Sequence, residues 1–221
     1  LGEAVDQVGG PQIRNIGTIG GNICNGAVSA DSVPTVFSYN SLLHIANEDG
    51  GRIAPVREFY LGPGRVDLHP GEVLTHVVIP KKEYAGYHGH YIKYSMRNAM
   101  DIATLSCSVV SRINPLKKVL EDVRITFGVA APVPYRCAKT EEALRGMEIG
   151  EELYQKVEEL VREEINPRDS WRVPTADWRR NRETRAEGEC SQGNGDGSCS
   201  AGCPDNFRRK YKFKWKNLSF I

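Results

Sequence analysis

Arg14-Asn15-Ile16-Gly17-Thr18-Ile19-Gly20-Gly21-Asn22-Ile23, followed nine residues later by Asp31, is the stretch on which the reading of this chain turns. Three glycines in five positions let a backbone turn tightly and approach a ligand without interference from Cβ. Main-chain N–H groups bared in this way make a concave anion nest. Thr18 and Asn22 add short polar side chains at its rim. Asp31 sits where a carboxylate accepts hydrogen bonds from ribose hydroxyls. The combination predicts a dinucleotide-diphosphate site, with the amides from Gly17 to Asn22 converging on a cleft beside Asp31. It is not a Rossmann site: the spacing is not G-x-G-x-x-G, and no strand long enough to feed a βα turn precedes it. Turn chemistry alone offers a second reading, a tight loop between two strands.

Working outward, 221 residues that are 40% hydrophobic allow one or two domains with a buried core. No apolar run reaches the roughly 18 residues of a membrane span, and no basic-then-apolar leader precedes the glycine stretch. Six cysteines are too few for a secreted disulfide scaffold of this length and read as reduced thiols, so the expected location is cytoplasmic. There is no initiator Met, and Leu1, Val5 and Val8 are spaced like the end of an apolar helix face, so the chain reads as beginning inside a domain. The net charge of +1 is uneven. Residues 172–221 carry 11 Lys+Arg against 6 Asp+Glu, and the remainder 18 against 22. As a whole this is not a nucleic-acid binder.

Residues 12–40 are loop-rich, with an apolar stretch at 33–39. Residues 42–46 and 52–56 flank Asp49-Gly50-Gly51 and predict a β-hairpin. Further strands are predicted at 73–79 (ended by Pro80), 91–96, 102–113 and 120–129, with Asn114-Pro115 opening a turn. His88 and His90 read as a surface turn, not a metal site. Asp101 reads as capping or turning the chain before Ile102. A short helix is expected at 140–144 with Thr140 as cap. A stronger one is expected at 151–165, where Leu153, Val157, Leu160, Val161 and Ile165 share a face. Cys24 and Cys107 read as small buried residues rather than redox centres. The result is an α+β chain in two parts. Taken alone, Leu74 reads as core and Lys93 as a solvated face.

Beyond Arg172 the character changes to glycine, arginine, cysteine and lysine with no apolar period. Cys190, Cys199 and Cys203 lack both a C-x₂-C pair and a nearby His, which argues against structural zinc. The basic-aromatic strip at 207–216 resembles a single-stranded nucleic-acid tract but reads as a solvated tail. Few apolar residues are available there to offset ordering, so no packed core is expected over 173–221.

The glycine stretch, with Ser29-Ala30-Asp31-Ser32 and Pro34 after it, also resembles the second flavin-binding motif of the molybdenum hydroxylase flavoproteins. That family includes the FAD subunits of xanthine and carbon monoxide dehydrogenases. The likeness is greatest to the bacterial xanthine dehydrogenase type. It continues through Gly62-Pro63-Gly64, Pro70-Gly71-Glu72-Val73-Leu74, Lys93-Tyr94-Ser95-Met96-Arg97, Asp101-Ile102-Ala103, Phe127-Gly128-Val129-Ala130 and Ser170-Trp171-Arg172. The resemblance implies the second part of a PCMH-type FAD-binding domain over 1–82. A small antiparallel sheet-and-helix domain of the carbon monoxide dehydrogenase flavoprotein type would follow over 85–172, and an aberrant tail over 173–221.

The family's cofactor is FAD, and its partners are a molybdopterin-binding subunit, a two-cluster iron–sulfur subunit, and NAD or another electron acceptor. Carried over by position, Gly17, Thr18, Ile19, Gly20, Gly21, Asn22 and Asn25 would hold the FAD diphosphate. Asp31 would hold a ribose hydroxyl, Leu74 would pack on the adenine, and Lys93 would lie near the cofactor edge. No catalytic acid, base or metal ligand is expected from this chain. The family also has an earlier subdomain with its own glycine-rich loop, which this sequence does not contain. Read one base out of register, residues 173–197 come to resemble the family's final helix, which implies a frameshift after Arg172. The alternative function is therefore a truncated, frameshifted, non-catalytic remnant that binds little FAD.

Overall fold

The fold begins with short helices, because the first forty residues are broken by glycine and proline at every few positions. A computed structural model describes residues 1–97 and 100–165. Its opening elements are α1 (Gly2–Asp6), α2 (Pro11–Ile16), α3 (Ile19–Cys24) and α4 (Val33–Ser38). Pro11 and Pro34 both sit in first turns, where a missing N–H costs no helical bond. All six residues of α4 are buried. The apolar stretch at 33–39, within a region read as loop-rich, is thus mostly a buried helix. A helix of six residues buried all round shows no apolar period, and Val-Pro-Thr-Val is a poor helix-forming string on propensity alone.

A small sheet follows. β1 (Leu42–Asn47) and β2 (Gly50–Pro55) form the predicted hairpin. The single turn α5 (Val56–Phe59) leads into the short ladder β3 (Tyr60–Gly62) with β4 (Arg65–Val66), and β5 (Val73–Val78) then pairs antiparallel with β1. The order is β2-β1-β5, with a register shift between His44 and Ile45. Leu43 and Ile45 point inward with Ile23, Val33, Val36, Phe37, Val56 and Phe59 to form the first core. The left-handed Gly26 is tied here: a Cβ on it would lie 2.9 Å from the Gly64 carbonyl carbon, and its own carbonyl accepts the Gly64 amide.

Among the described residues the second unit is one sheet with two helices packed on it. A turn α6 (Lys81–Tyr84) precedes β6 (His88–Tyr94), β7 (Leu105–Asn114), β8 (Val119–Gly128) and the short β9 (Tyr135–Arg136), hydrogen-bonded in that order. α7 (Ala138–Leu144) and α8 (Glu151–Glu164) close one face. Residues on β7 and β8 alternate between two buried faces. Leu105, Cys107, Val109, Val123, Ile125 and Phe127 meet Leu144, Leu153, Val157 and Val161 of the helices. The other face presents Ser106, Ser108 and Val110 opposite Gly128, Thr126 and Arg124, and α4 packs on both of these strands.

That second face is the seam between the units, and it is polar. Ser38 Oγ donates to Thr126 Oγ1 at 2.9 Å. Arg124, 6% exposed, donates to the Ser38 and Glu83 carbonyls and pairs with Glu83 Oε2 at 2.9 Å. His88 and His90 belong to β6 rather than to a surface turn. α7 starts before Thr140, and its first-turn amides at Lys139 and Thr140 are capped from α8 by the Glu164 carboxylate. Among the described residues no helix is long and apolar enough to cross a membrane. The expectations for Cys190, Cys199 and Cys203, for the strip at 207–216, for Ser170-Trp171-Arg172 and for the whole of 173–221 fall outside the described residues.

Candidate cofactor-binding site

Thr18 organises the glycine stretch. Its backbone is extended and its Oγ1 accepts the Gly21 amide at 3.0 Å, while its carbonyl accepts the Asn22 amide at 3.0 Å. This is a side-chain N-cap. It converts the expected open loop into the first turn of α3, despite two glycines that disfavour helix. Ile23 on the inner side is fully buried and completes the anchorage. The amides of Ile19 and Gly20 then have no protein acceptor among the described residues and lie at the positive end of the helix.

The three glycines do different work. A Cβ on Gly17 would lie 2.8 Å from the Ile13 carbonyl oxygen, so that glycine serves the join between α2 and α3. A Cβ on Gly21 would meet the Thr18 cap oxygen at 3.1 Å. At Gly20 the one such neighbour among the described residues, outside its own helix backbone, is Leu74 Cδ2, at an ordinary 3.8 Å. Gly20 therefore keeps an approach to its amide clear, with Leu74 of β5 beside it. Ile13, Ile16 and Ile19 are exposed around these amides, Ile16 to 83%.

Asn22 faces inward, and its Oδ1 accepts the Ser32 hydroxyl at 2.7 Å. Asn25 is the C-cap of α3 and exposed, at the opposite end from the free amides. Asp31 is 6% exposed, and both of its oxygens are engaged. Tyr91 donates to Oδ1 at 2.8 Å and Lys93 to Oδ2 at 2.7 Å. Burial pushes the Asp31 carboxyl above the ordinary aspartate range, and the bonds from Lys93 and Tyr91 pull it partly back. Lys93 Nζ also donates to the Gln7 carbonyl at 2.8 Å. Lys93 is thus not on a solvated face. Leu74 is half-buried and packs against the first core. The Cys24 thiol is pushed up by burial, and burial likewise raises Cys107 and Cys137.

The structure brings together Thr18, Ile19, Gly20, Gly21 and Leu74, joins Asn22 to the Asp31 loop through Ser32, and draws Asp31 and Lys93 onto each other. The sequence reading did not include Tyr91, Gln7 or Glu3, whose Oε2 accepts the Tyr91 amide at 2.9 Å. A signal for Tyr91 was available: it stands two residues from Lys93 on one strand and so shares its face. The residues fit a diphosphate-bearing cofactor. They offer free amides at a capped helix start, a glycine that leaves them accessible, and an apolar shelf beside them.

Capped helix, shelf and backing sheet together define a two-unit α+β protein with exposed amides beside an apolar shelf. The chain belongs to the FAD-binding flavoprotein family of the molybdopterin dehydrogenases. Residues 1–82 match the family described as FAD binding domain in molybdopterin dehydrogenase, and residues 90–182 match the CO dehydrogenase flavoprotein C-terminal domain. It is 40% identical over 172 residues to a putative xanthine dehydrogenase FAD-binding subunit, XdhB, of Escherichia coli K12, covering 77% of this chain and 58% of that one. The glyceraldehyde dehydrogenase medium chain of Sulfolobus acidocaldarius is 27% identical, covering 74% of this chain and 57% of that one. A solved carbon monoxide dehydrogenase from Hydrogenophaga pseudoflava superposes with a TM-score of 0.73 at 27% identity, covering 80% of this chain and 60% of that one. The chain thus spans about three fifths of the length of these relatives.

Proposed function

We propose that this chain holds FAD and serves as the electron-relay component of a molybdenum-dependent hydroxylase of the xanthine dehydrogenase type. Its partners on this reading are a molybdopterin-binding subunit and a two-cluster iron–sulfur subunit. The electrons pass to NAD or another acceptor, in the cytoplasm. The observation that carries the reading is the open approach at Gly20, flanked by Leu74 and by two amides without an acceptor among the described residues, in a chain that matches flavoprotein families along most of its length.

When bound, the flavin supplies the chemistry, accepting single electrons and releasing a hydride. The chain binds and orients. The Ile19 and Gly20 amides would donate to the diphosphate oxygens, and Thr18 keeps the turn in place by its cap. Leu74, beside Gly20, would support the adenine. No residue here is asked to act as a general acid or base on a hydroxylation substrate. That role falls to a partner subunit.

The test is to load the chain with FAD and supply NADH with a dye acceptor. Dye reduction with NADH, and none when a purine replaces it, is the expected result. Purine-dependent turnover by this chain alone contradicts the relay role. Protein that stays colourless in excess FAD instead favours the alternative, a truncated and frameshifted remnant.

A further inference from the structure

The faces of β5 do not alternate regularly. Leu74 and Val77 both pack against the first core, while Val73 and Val78 are exposed, at 62% and 37%. Side chains of a regular strand change face at every residue, so positions three apart cannot share one. The pairing with β1 shows where the count is corrected. Val78, Val77 and His76 stand opposite Leu42, Leu43 and His44, whereas Leu74 and Val73 stand opposite Ile45 and Ala46. Thr75 has no partner in this ladder and is the extra residue of a β-bulge.

Both ends of the strand are fixed, which confines the bulge to this point. At the near end Arg52 of β2 holds both Glu72 oxygens, at 2.8 and 2.9 Å. It also holds the Asp67 carboxylate and carbonyl, each at 2.6 Å. At the far end Val77 and Val78 are in register with Leu43 and Leu42. At the bulge itself the Thr75 hydroxyl donates to the His44 carbonyl at 2.9 Å, and His76 Nδ1 lies 3.1 Å from the same oxygen.

The consequence falls on Leu74. A regular strand with the same far end would bring Thr75 opposite Ile45, on the inner face, and turn Leu74 outward opposite Ala46. The hydroxyl of Thr75 disfavours that register, because it would be buried against the core. With the bulge, Leu74 stays on the inner face, and its Cδ2 lies 3.8 Å from where a Cβ on Gly20 would stand.

We propose that the bulge at Thr75 sets the adenine end of the cofactor site. Thr75 is a positioning residue that touches no ligand and selects the register in which Leu74 forms the shelf. The inference rests on the FAD reading for the identity of what Leu74 supports.

The experiment compares Thr75→Val, Thr75→Ser and deletion of Thr75 in the full chain, by calorimetric titration with ADP and with inorganic pyrophosphate. Valine removes the bond that closes the bulge and suits the inner face, so the regular register gains and Leu74 turns out. ADP affinity is then expected to fall about tenfold, the worth of roughly 50 Å² of lost apolar contact. Pyrophosphate affinity stays within about twofold of wild type, because the amides at the start of α3 are untouched. Thr75→Ser keeps the hydroxyl and is expected to bind ADP as the wild type does. Deletion removes the surplus residue and leaves Leu74 opposite Ile45 in a regular strand, so ADP affinity stays within about threefold of wild type.

Unchanged ADP affinity in Thr75→Val overturns the proposal, as does a loss in the deletion variant equal to that in Thr75→Val. Equal losses of ADP and pyrophosphate also overturn it, since they mark a general disturbance of the fold. Should the deletion variant fail to fold, Thr75→Ser against Thr75→Val carries the comparison, and equal losses in those two count against it. Wild-type protein that does not bind both probes counts against the FAD reading and leaves the register to NMR of the ligand-free chain. Nuclear Overhauser contacts between the Leu74 methyls and Gly20 are expected in the wild type and absent in Thr75→Val. Contacts that persist in Thr75→Val overturn the proposal.

Discussion

Replacing Gly20 by alanine separates stability from cofactor binding, because the protein itself has room for the methyl group. Among the described residues outside its own helix backbone the added Cβ would meet Leu74 Cδ2 at 3.8 Å, which is van der Waals contact and not a clash. Gly20 lies in the first turn of α3, with no backbone conformation that requires glycine. Alanine exceeds glycine by up to about 1 kcal/mol in helix propensity, so Gly20→Ala is expected to leave stability unchanged or raise it by up to that amount. The methyl would, however, stand at the approach to the Ile19 and Gly20 amides. Losing one charge-assisted hydrogen bond from amide to phosphate removes about 1.5–3 kcal/mol, a loss of roughly 10- to 100-fold in affinity. Urea unfolding and equilibrium FAD titration of the same preparation give both quantities. FAD affinity equal to wild type, or a variant destabilised by more than about 1 kcal/mol, would refute the assignment of Gly20 to ligand approach.

Gly17→Ala is expected to do the reverse of Gly20→Ala. Its Cβ would lie 2.8 Å from the Ile13 carbonyl oxygen, and such overpacking costs about 1–3 kcal/mol of stability in the same urea assay. Gly128→Ala is expected to loosen the seam by a similar amount, since its Cβ would lie 2.4 Å from Ser106 Oγ and 3.2 Å from Pro34 Cγ. Hydrogen exchange should show the loss at α4 and β8 before the hairpin of β1 and β2. Glu72 provides a pH test. Hydrogen bonds from Arg52 and the His69 amide pull its carboxyl from 4.5 down to about 2. Its folded value is below its unfolded one, so its contribution is full above about pH 4.5 and is lost as pH falls toward 2. Glu72→Gln should flatten that part of the acid limb in a stability-against-pH curve. An unchanged limb would show that the Arg52 pairing contributes nothing there.

The strands were legible because their signals are local. The hairpin of β1 and β2 announces itself by Asp49-Gly50-Gly51, and α8 by the spacing of Leu153, Val157 and Val161. What could not be read depends on partners distant in sequence. α4 is helical because it is enclosed between a core and the Ser108 and Thr126 face of the second sheet, and six residues buried all round carry no period. The start of α7 is fixed by Glu164, more than twenty residues away. In the glycine stretch the sequence identified the residues, but not that Thr18 would cap and turn the loop into a helix. Asp31 illustrates the same limit: nothing near it in sequence signals that Tyr91 and Lys93, some sixty residues on, donate to its two oxygens.

The central claim is that the capped start of α3 receives the diphosphate of FAD, and flavin titration of the purified chain with ADP as competitor tests it most directly. The account predicts saturable binding of one FAD per chain, displaced by ADP and weakened at least tenfold by Gly20→Ala. Absence of saturable uptake, or uptake that ADP does not displace and Gly20→Ala does not weaken, would contradict it.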